Sequence, residues 1–141
     1  MTDHQGIDRR LRSLREYLQQ LRGIGARGFR TVADDPILEA ALCRFLQLAI
    51  ECVLDIGELI IAGEGWPRPA TNRDVILLLG KKRLISRILA ARFSSAAGLR
   101  NILVHDYLDV DIGLVFRHLD HLEDFELFAR GISRYLKRRS R

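Results

Sequence analysis

Cysteine is scarce in this chain, and the two present, Cys43 and Cys52, stand nine residues apart within one helical pattern. Nine residues of helix rise about 13 Å, too far for a bridge within the chain. They read as small buried hydrophobes, as expected in a reducing, cytoplasmic compartment. Long apolar runs are missing too. The most hydrophobic stretch, Leu46 to Ala62, is broken by Glu51, Asp55 and Glu58, which marks a core helix and not a membrane span. The first ten residues already carry Asp3, Asp8, Arg9 and Arg10, so no secretory leader is expected. Histidine is sparse: His4, His118 and His121 lack a cysteine or carboxylate frame, so neither a metal nor a cofactor is expected. The His118/His121 pair reads as a solvated helix face. No strand alternation occurs, so Gly23, Gly25 and Gly28 form a turn and not a phosphate loop.

What is present suits one globular domain over residues 1–141, with 48% apolar and 29% charged residues. The net charge of +5 is unevenly spread. From Val75 to His105 there are six Lys/Arg and no acid, while seven acids fall between Asp106 and Glu126. A basic C-terminal end, residues 130–141, carries six more cations. Two such patches attract a polyanion such as RNA by counterion release. The bland alternative is a solvated helix face and a frayed tail.

The periodicity is helical throughout. Ile7, Leu11, Leu14, Leu18 and Leu21 make a narrow stripe on a first helix, which the glycines then end. Asp34 or Asp35 caps a second helix from Pro36 to about Ala62, whose broad apolar face suits burial against the core and against a second copy. After a Gly/Pro connector, Thr71 and Asp74 begin a short helix to about Leu79. Gly80 is expected to break it, and a long helix is expected from Lys81 onward, with the small residues Ser94 to Gly98 at its middle. Asp111 caps a last helix with the stripe Ile112, Val115, Leu119, Leu122, Phe125, Ala129, Ile132 and Leu136. The expected fold is all-α: an up-and-down bundle of four main helices plus one short helix.

One segment concentrates chemistry: Arg100, Asn101, His105 and Tyr107, reading R-N-x-x-x-H-x-Y. On a regular helix Asn101 and His105 share a face, as do Arg100 and Tyr107, but Arg100 and His105 lie roughly 140° apart. Either the helix loosens around Val104–Asp106, or two copies of the chain assemble the site; a homodimer is the economical answer. Cleavage of RNA by its own 2′-OH needs a base, an acid and a cation for the phosphorane. His105 is the residue type suited to acid and base transfer and Arg100 to gripping phosphate, while Asn101 orients the imidazole or donates to phosphate. Two His105 side chains across a two-fold axis supply both acid and base. The competing plain reading is an Arg and a His at the negative end of a helix dipole, with Tyr107 as a half-buried cover.

The run from Gly98 to Tyr107, followed by Val110-Asp111, closely resembles the HEPN-domain toxins of the HepT type, and the resemblance extends from the first helix through Phe125. It implies a helical bundle that dimerises around the motif and acts as a metal-independent ribonuclease. The implied partner is a small nucleotidyltransferase antitoxin of a prokaryotic toxin–antitoxin module. By the same resemblance Arg100 and His105 are the catalytic pair, Asn101 the polar neighbour, and Tyr107 the residue the antitoxin adenylylates. Each added AMP brings negative charge and bulk beside a cationic site, which repels an RNA phosphate. Lys81-Lys82-Arg83 and the Lys137–Arg141 end depart from the pattern in being more basic. The alternative is a non-catalytic helical module that docks to, or presents substrate to, a nucleotidyltransferase.

Overall fold

The computed structural model describes residues 2–105 and 109–139, and every element within them is helical. Helix α1 spans His4–Ala26; the Asp3 carboxylate accepts from the Gly6 amide, and the stripe from Ile7 to Leu21 is buried. The five-residue α2, Phe29–Ala33, was not expected; Gly28, at φ 85°, supplies the left-handed turn that separates it from α1. Gly23 and Gly25 lie inside α1 and do not end it. Helix α3, Pro36–Glu64, is capped by Asp35, which accepts from the Ile37 and Leu38 amides, and it stops at left-handed Gly65. It forms the spine of the bundle, with α1, α4 and α5 laid against it.

Helix α4, Asn72–Lys81, begins where Thr71 Oγ1 accepts from the Asp74 amide. Gly80 does not break it. That glycine is buried in its last turn, where a Cβ would sit only 2.5 Å from Ala90 Cβ, so its smallness lets α4 and α5 touch. The long helix α5 spans Arg87–His105 and starts six residues later than its sequence suggests. Arg83 turns the chain at φ 65°, Leu84 and Ile85 are buried in the connection, and Ser86 Oγ accepts from the Leu89 amide to open the helix. Two apolar anchors thus win over continued helix.

The last predicted helix is divided. Asp111 caps α6, Ile112–Arg117, then His118–His121 tighten into a 3₁₀ turn before α7, Leu122–Arg139. A 3₁₀ turn advances about 120° per residue, which resets the stripe so that Leu119 is half-buried and Leu122 buried. The basic C-terminal end is not frayed over its described part: α7 is helical through Arg139. Its last turn is fixed, because Glu64 accepts from Tyr135 Oη at 2.6 Å and from the Arg139 guanidinium, while Thr2 Oγ1 lies 3.0 Å from the same phenol. Phe93 meets Phe125 and Phe128 edge-on at 4.9 and 5.8 Å, joining α5 to α7. Four long helices stand in the expected order, the third starting later and the last shortened by the 3₁₀ turn, with α2 and α6 as additional short ones.

Candidate active site

Three of the four motif residues stand on the last two turns of α5, and Tyr107 lies outside the described residues. Helix α5 owes its place to two different faces. Leu89, Ala90, Phe93, Ser94, Ala97 and Leu103 are buried against the rest of the bundle. The opposite side, Ile88, Ala91, Ser95, Gly98, Ile102 and His105, is exposed, with Ile88 71% and Ile102 45% accessible. These six positions advance by alternating steps of three and four, the spacing by which one helix seats another. Nothing lies within 4 Å of a Cβ built on Gly98, so this side is open for close approach.

Arg100 projects away from that face, toward α3. Its Nε lies 3.4 Å from Glu51 Oε1, with side-chain exposures of 28% and 30% for the pair. Gln47 Nε2 donates to the same carboxylate oxygen at 3.1 Å, and Arg100 Nη1 donates to Asn101 Oδ1 at 3.4 Å. Arg100 and Asn101 are therefore linked directly, and a carboxylate from a second helix holds the guanidinium. His105 is exposed at the end of α5. Val104 and His105 remain helical, so the described residues show no loosening that would swing His105 toward Arg100; one chain leaves them on different sides of the helix. Asp106, the last position where the helix was expected to loosen, lies outside the described residues.

Glu51 and Gln47 escaped the motif reading, although the signal was in the sequence. An acid in the most apolar helix, one turn from a glutamine, needs a partner when half-buried. Of the cations between Val75 and His105, Arg92 is bound to Asp124 at 2.8 Å and Lys82 lies 4.9 Å above the Trp66 ring, while Lys81, Arg83 and Arg87 are exposed. His118 is half-buried and not on a solvated face; burial first, and then the neighbouring His121, push its pKa down. Both cysteines are free thiols, and burial pushes Cys52 up to about 11. Among the described residues no group of three or more His, Cys, Asp or Glu is placed to hold a metal ion, and no helix is long and apolar enough to cross a membrane.

The family model described as ribonuclease HepT-like matches residues 11–132. A tRNA nuclease HepT of Aphanizomenon flos-aquae is 32% identical over 136 residues, covering 92% of this chain and 89% of that protein. An mRNA nuclease HepT of Shewanella oneidensis is 33% identical over 112 residues, covering 79% of this chain and 81% of its own length. In structure, the tri-AMPylated Shewanella oneidensis HEPN toxin, in complex with its MNT antitoxin, superposes with a TM-score of 0.83 at 28% identity, over 94% of this chain and 98% of that one.

Proposed function

The chain belongs to the ribonuclease HepT-like family, and from that premise we propose that it is the toxin of a prokaryotic toxin–antitoxin module, a metal-independent endoribonuclease whose site forms between two copies of the chain. The observation that carries this reading is the divergence of Arg100 and His105 on an unbroken α5, beside an exposed small-residue face that suits a second α5. Pairing through that face across a two-fold axis brings the two His105 side chains together, and Arg100, a long side chain, reaches the phosphate from the α3 side when it leaves Glu51.

In that cleft one imidazole takes the proton of the ribose 2′-OH, whose oxygen attacks the adjacent phosphorus. The other imidazole protonates the departing 5′-oxygen, leaving a 2′,3′-cyclic phosphate and a 5′-hydroxyl. Arg100 neutralises the phosphorane, and Asn101, bonded to it, orients the guanidinium or donates to a phosphate oxygen. Glu51 holds Arg100 until phosphate displaces it.

The partner is a nucleotidyltransferase antitoxin that transfers AMP to the Tyr107 phenol from a nucleoside triphosphate, with release of pyrophosphate. Tyr107 is two residues from His105, so the added phosphodiester places negative charge and an adenosine beside the cleft. Incubation of the unmodified protein with total RNA in EDTA tests the reading. The wild type is expected to cleave and His105→Ala and Arg100→Ala to be inactive. Equal absence of cleavage in all three, with Tyr107 unmodified by mass spectrometry, would favour the non-catalytic docking module instead.

A further inference from the structure

Beside the reaction centre lies a cavity that the chemistry above does not use. Its volume is about 310 Å³, within the size range of small-molecule sites, and it opens between α3, α5 and the His118–His121 turn. The floor is apolar, made by Leu46, Ile50, Phe93 and Phe125, all buried. The lining also carries the polar side chains of Arg92, Asp124, His118 and His121. The mixture suits a flat heteroaromatic ring with hydrogen-bonding edges.

Each of these polar groups has a form that fits such a ring. Arg92 donates through Nη2 to Asp124 Oδ1 at 2.8 Å and through Nε to Oδ2 at 3.3 Å, so its guanidinium is fixed in a plane and its charge is balanced. A guanidinium so held offers a stacking surface more than a phosphate clamp. His118 is half-buried, and its lowered pKa keeps the imidazole neutral near pH 7, with one donor and one acceptor. That pair of functions matches the edge of a base.

The cavity is also in register with the candidate active site. Its walls include Leu99 of α5 and Ile50 of α3, and the next residue on each helix is Arg100 and Glu51, the ion pair at which phosphate is proposed to bind. Consecutive Cα atoms are about 3.8 Å apart, so the cavity and the ion pair are carried by adjoining positions of the same two helices, on the scale of one nucleotide.

We propose that the cavity receives one unpaired base of the RNA substrate, flanking the scissile phosphate, and that it sets the base preference of cleavage. This rests on the nuclease reading above. Recognition of single-stranded RNA by bases splayed into apolar and aromatic seats is the general mode such a site follows.

Two measurements test it, one independent of cleavage. In the first, ring-proton NMR signals of His118 and His121 are followed while each of the four nucleoside 5′-monophosphates is added. At least one is expected to shift both signals saturably, and Ala96→Phe, which fills the cavity from α5, is expected to abolish the shift with the helical circular dichroism retained. No shift by any nucleotide would overturn the proposal. In the second, kcat/KM is measured on oligoribonucleotides made abasic at single positions around the cleaved bond. Abasic substitution at one position is expected to cost the wild type about tenfold or more. In His118→Gln and Ala96→Phe the ratio of intact to abasic substrate is expected to fall toward one. A ratio unchanged in both variants, or nucleotide binding with no base discrimination in cleavage, would show that the cavity holds a nucleotide other than the substrate and would also overturn it. Saturable shifts in a protein that cleaves no RNA would sink the nuclease reading, and with it the assignment of the occupant as substrate.

Discussion

Arg100 meets two demands that oppose each other. In the proposed mechanism it must be free to take a phosphate, yet its Nε already lies 3.4 Å from Glu51. The pair is half-buried and joined through Nε, so in the proposed mechanism a doubly contacted phosphate outcompetes it while Glu51 still aims the side chain. Glu51→Gln is therefore expected to lower kcat for RNA about tenfold, through a poorly positioned Arg100, while lowering KM because one negative charge has left the path of the strand. Steady-state kinetics at fixed salt check this; a KM that rises would assign Glu51 a role in binding RNA instead. The thiols offer a second test. With Cys52 pushed up to about 11 by burial, and Cys43 raised for the same reason, both are expected to resist a maleimide at pH 7.5 until urea unfolds the chain. At this scale Arg100, Asn101 and His105 stand out in the sequence because their grouping is chemically unusual, and the structure puts all three on α5. Glu51 was legible only as an interruption of an apolar helix, since the sequence does not say which cation faces it. His118 was misread because a 3₁₀ turn, which spacing did not reveal, carries it partly inward.

Helix α5 is the element on which the proposed site rests, because it serves the core with one side and leaves the other open. Ile88 lies about 25 Å of helix from His105, far from the chemistry. Ile88→Asp is nevertheless expected to convert a dimer to a monomer in sedimentation and to abolish cleavage, because a carboxylate would be buried unpaired in the α5–α5 contact. Full cleavage by a monomeric Ile88→Asp would remove the need for a second copy. Other contacts between elements are close for a different reason. A Cβ on Gly131 of α7 would overlap the Leu84 carbonyl in the α4–α5 connection, a backbone atom that cannot swing away. Gly131→Ala is expected to cost about 1–3 kcal/mol in urea unfolding, with cleavage per folded molecule unchanged. Caps at Asp35, Thr71 and Asp111 were readable, since a side-chain oxygen before an apolar run has one use there. The late start of α5 was not. Burial of Leu84 and Ile85 is a tertiary effect that helical spacing alone does not reveal, and it overrode a run that continues helically in pattern.

At the scale of the whole molecule, acid is expected to act in two steps. His118 has a folded-state pKa below the ordinary 6.5, so the unfolded chain binds a proton that the folded chain resists. Stability from this group is complete above about 6.5 and declines as pH falls from there to the lower folded value. Glu64, held below its ordinary 4.5 first by the Arg139 hydrogen bond and then by Tyr135, contributes stability above that value and loses it on further acidification. Urea midpoints against pH are expected to show both declines, and His118→Gln to remove the upper one alone. A profile unchanged by His118→Gln would place the upper decline elsewhere. The four long helices and their order followed from periodicity, but the joining of N-terminus, α3 and α7 through Thr2, Tyr135, Glu64 and Arg139 spans the whole chain and leaves no local trace.

The most direct test of a site shared between two chains is to refold wild type together with an equal amount of His105→Ala and measure RNA cleavage in EDTA. If acid and base are the two His105 side chains of one dimer, only wild-type pairs are active, and activity is expected at about one quarter of an undiluted sample. Activity of about one half would mean that each chain works alone, and would contradict the shared site.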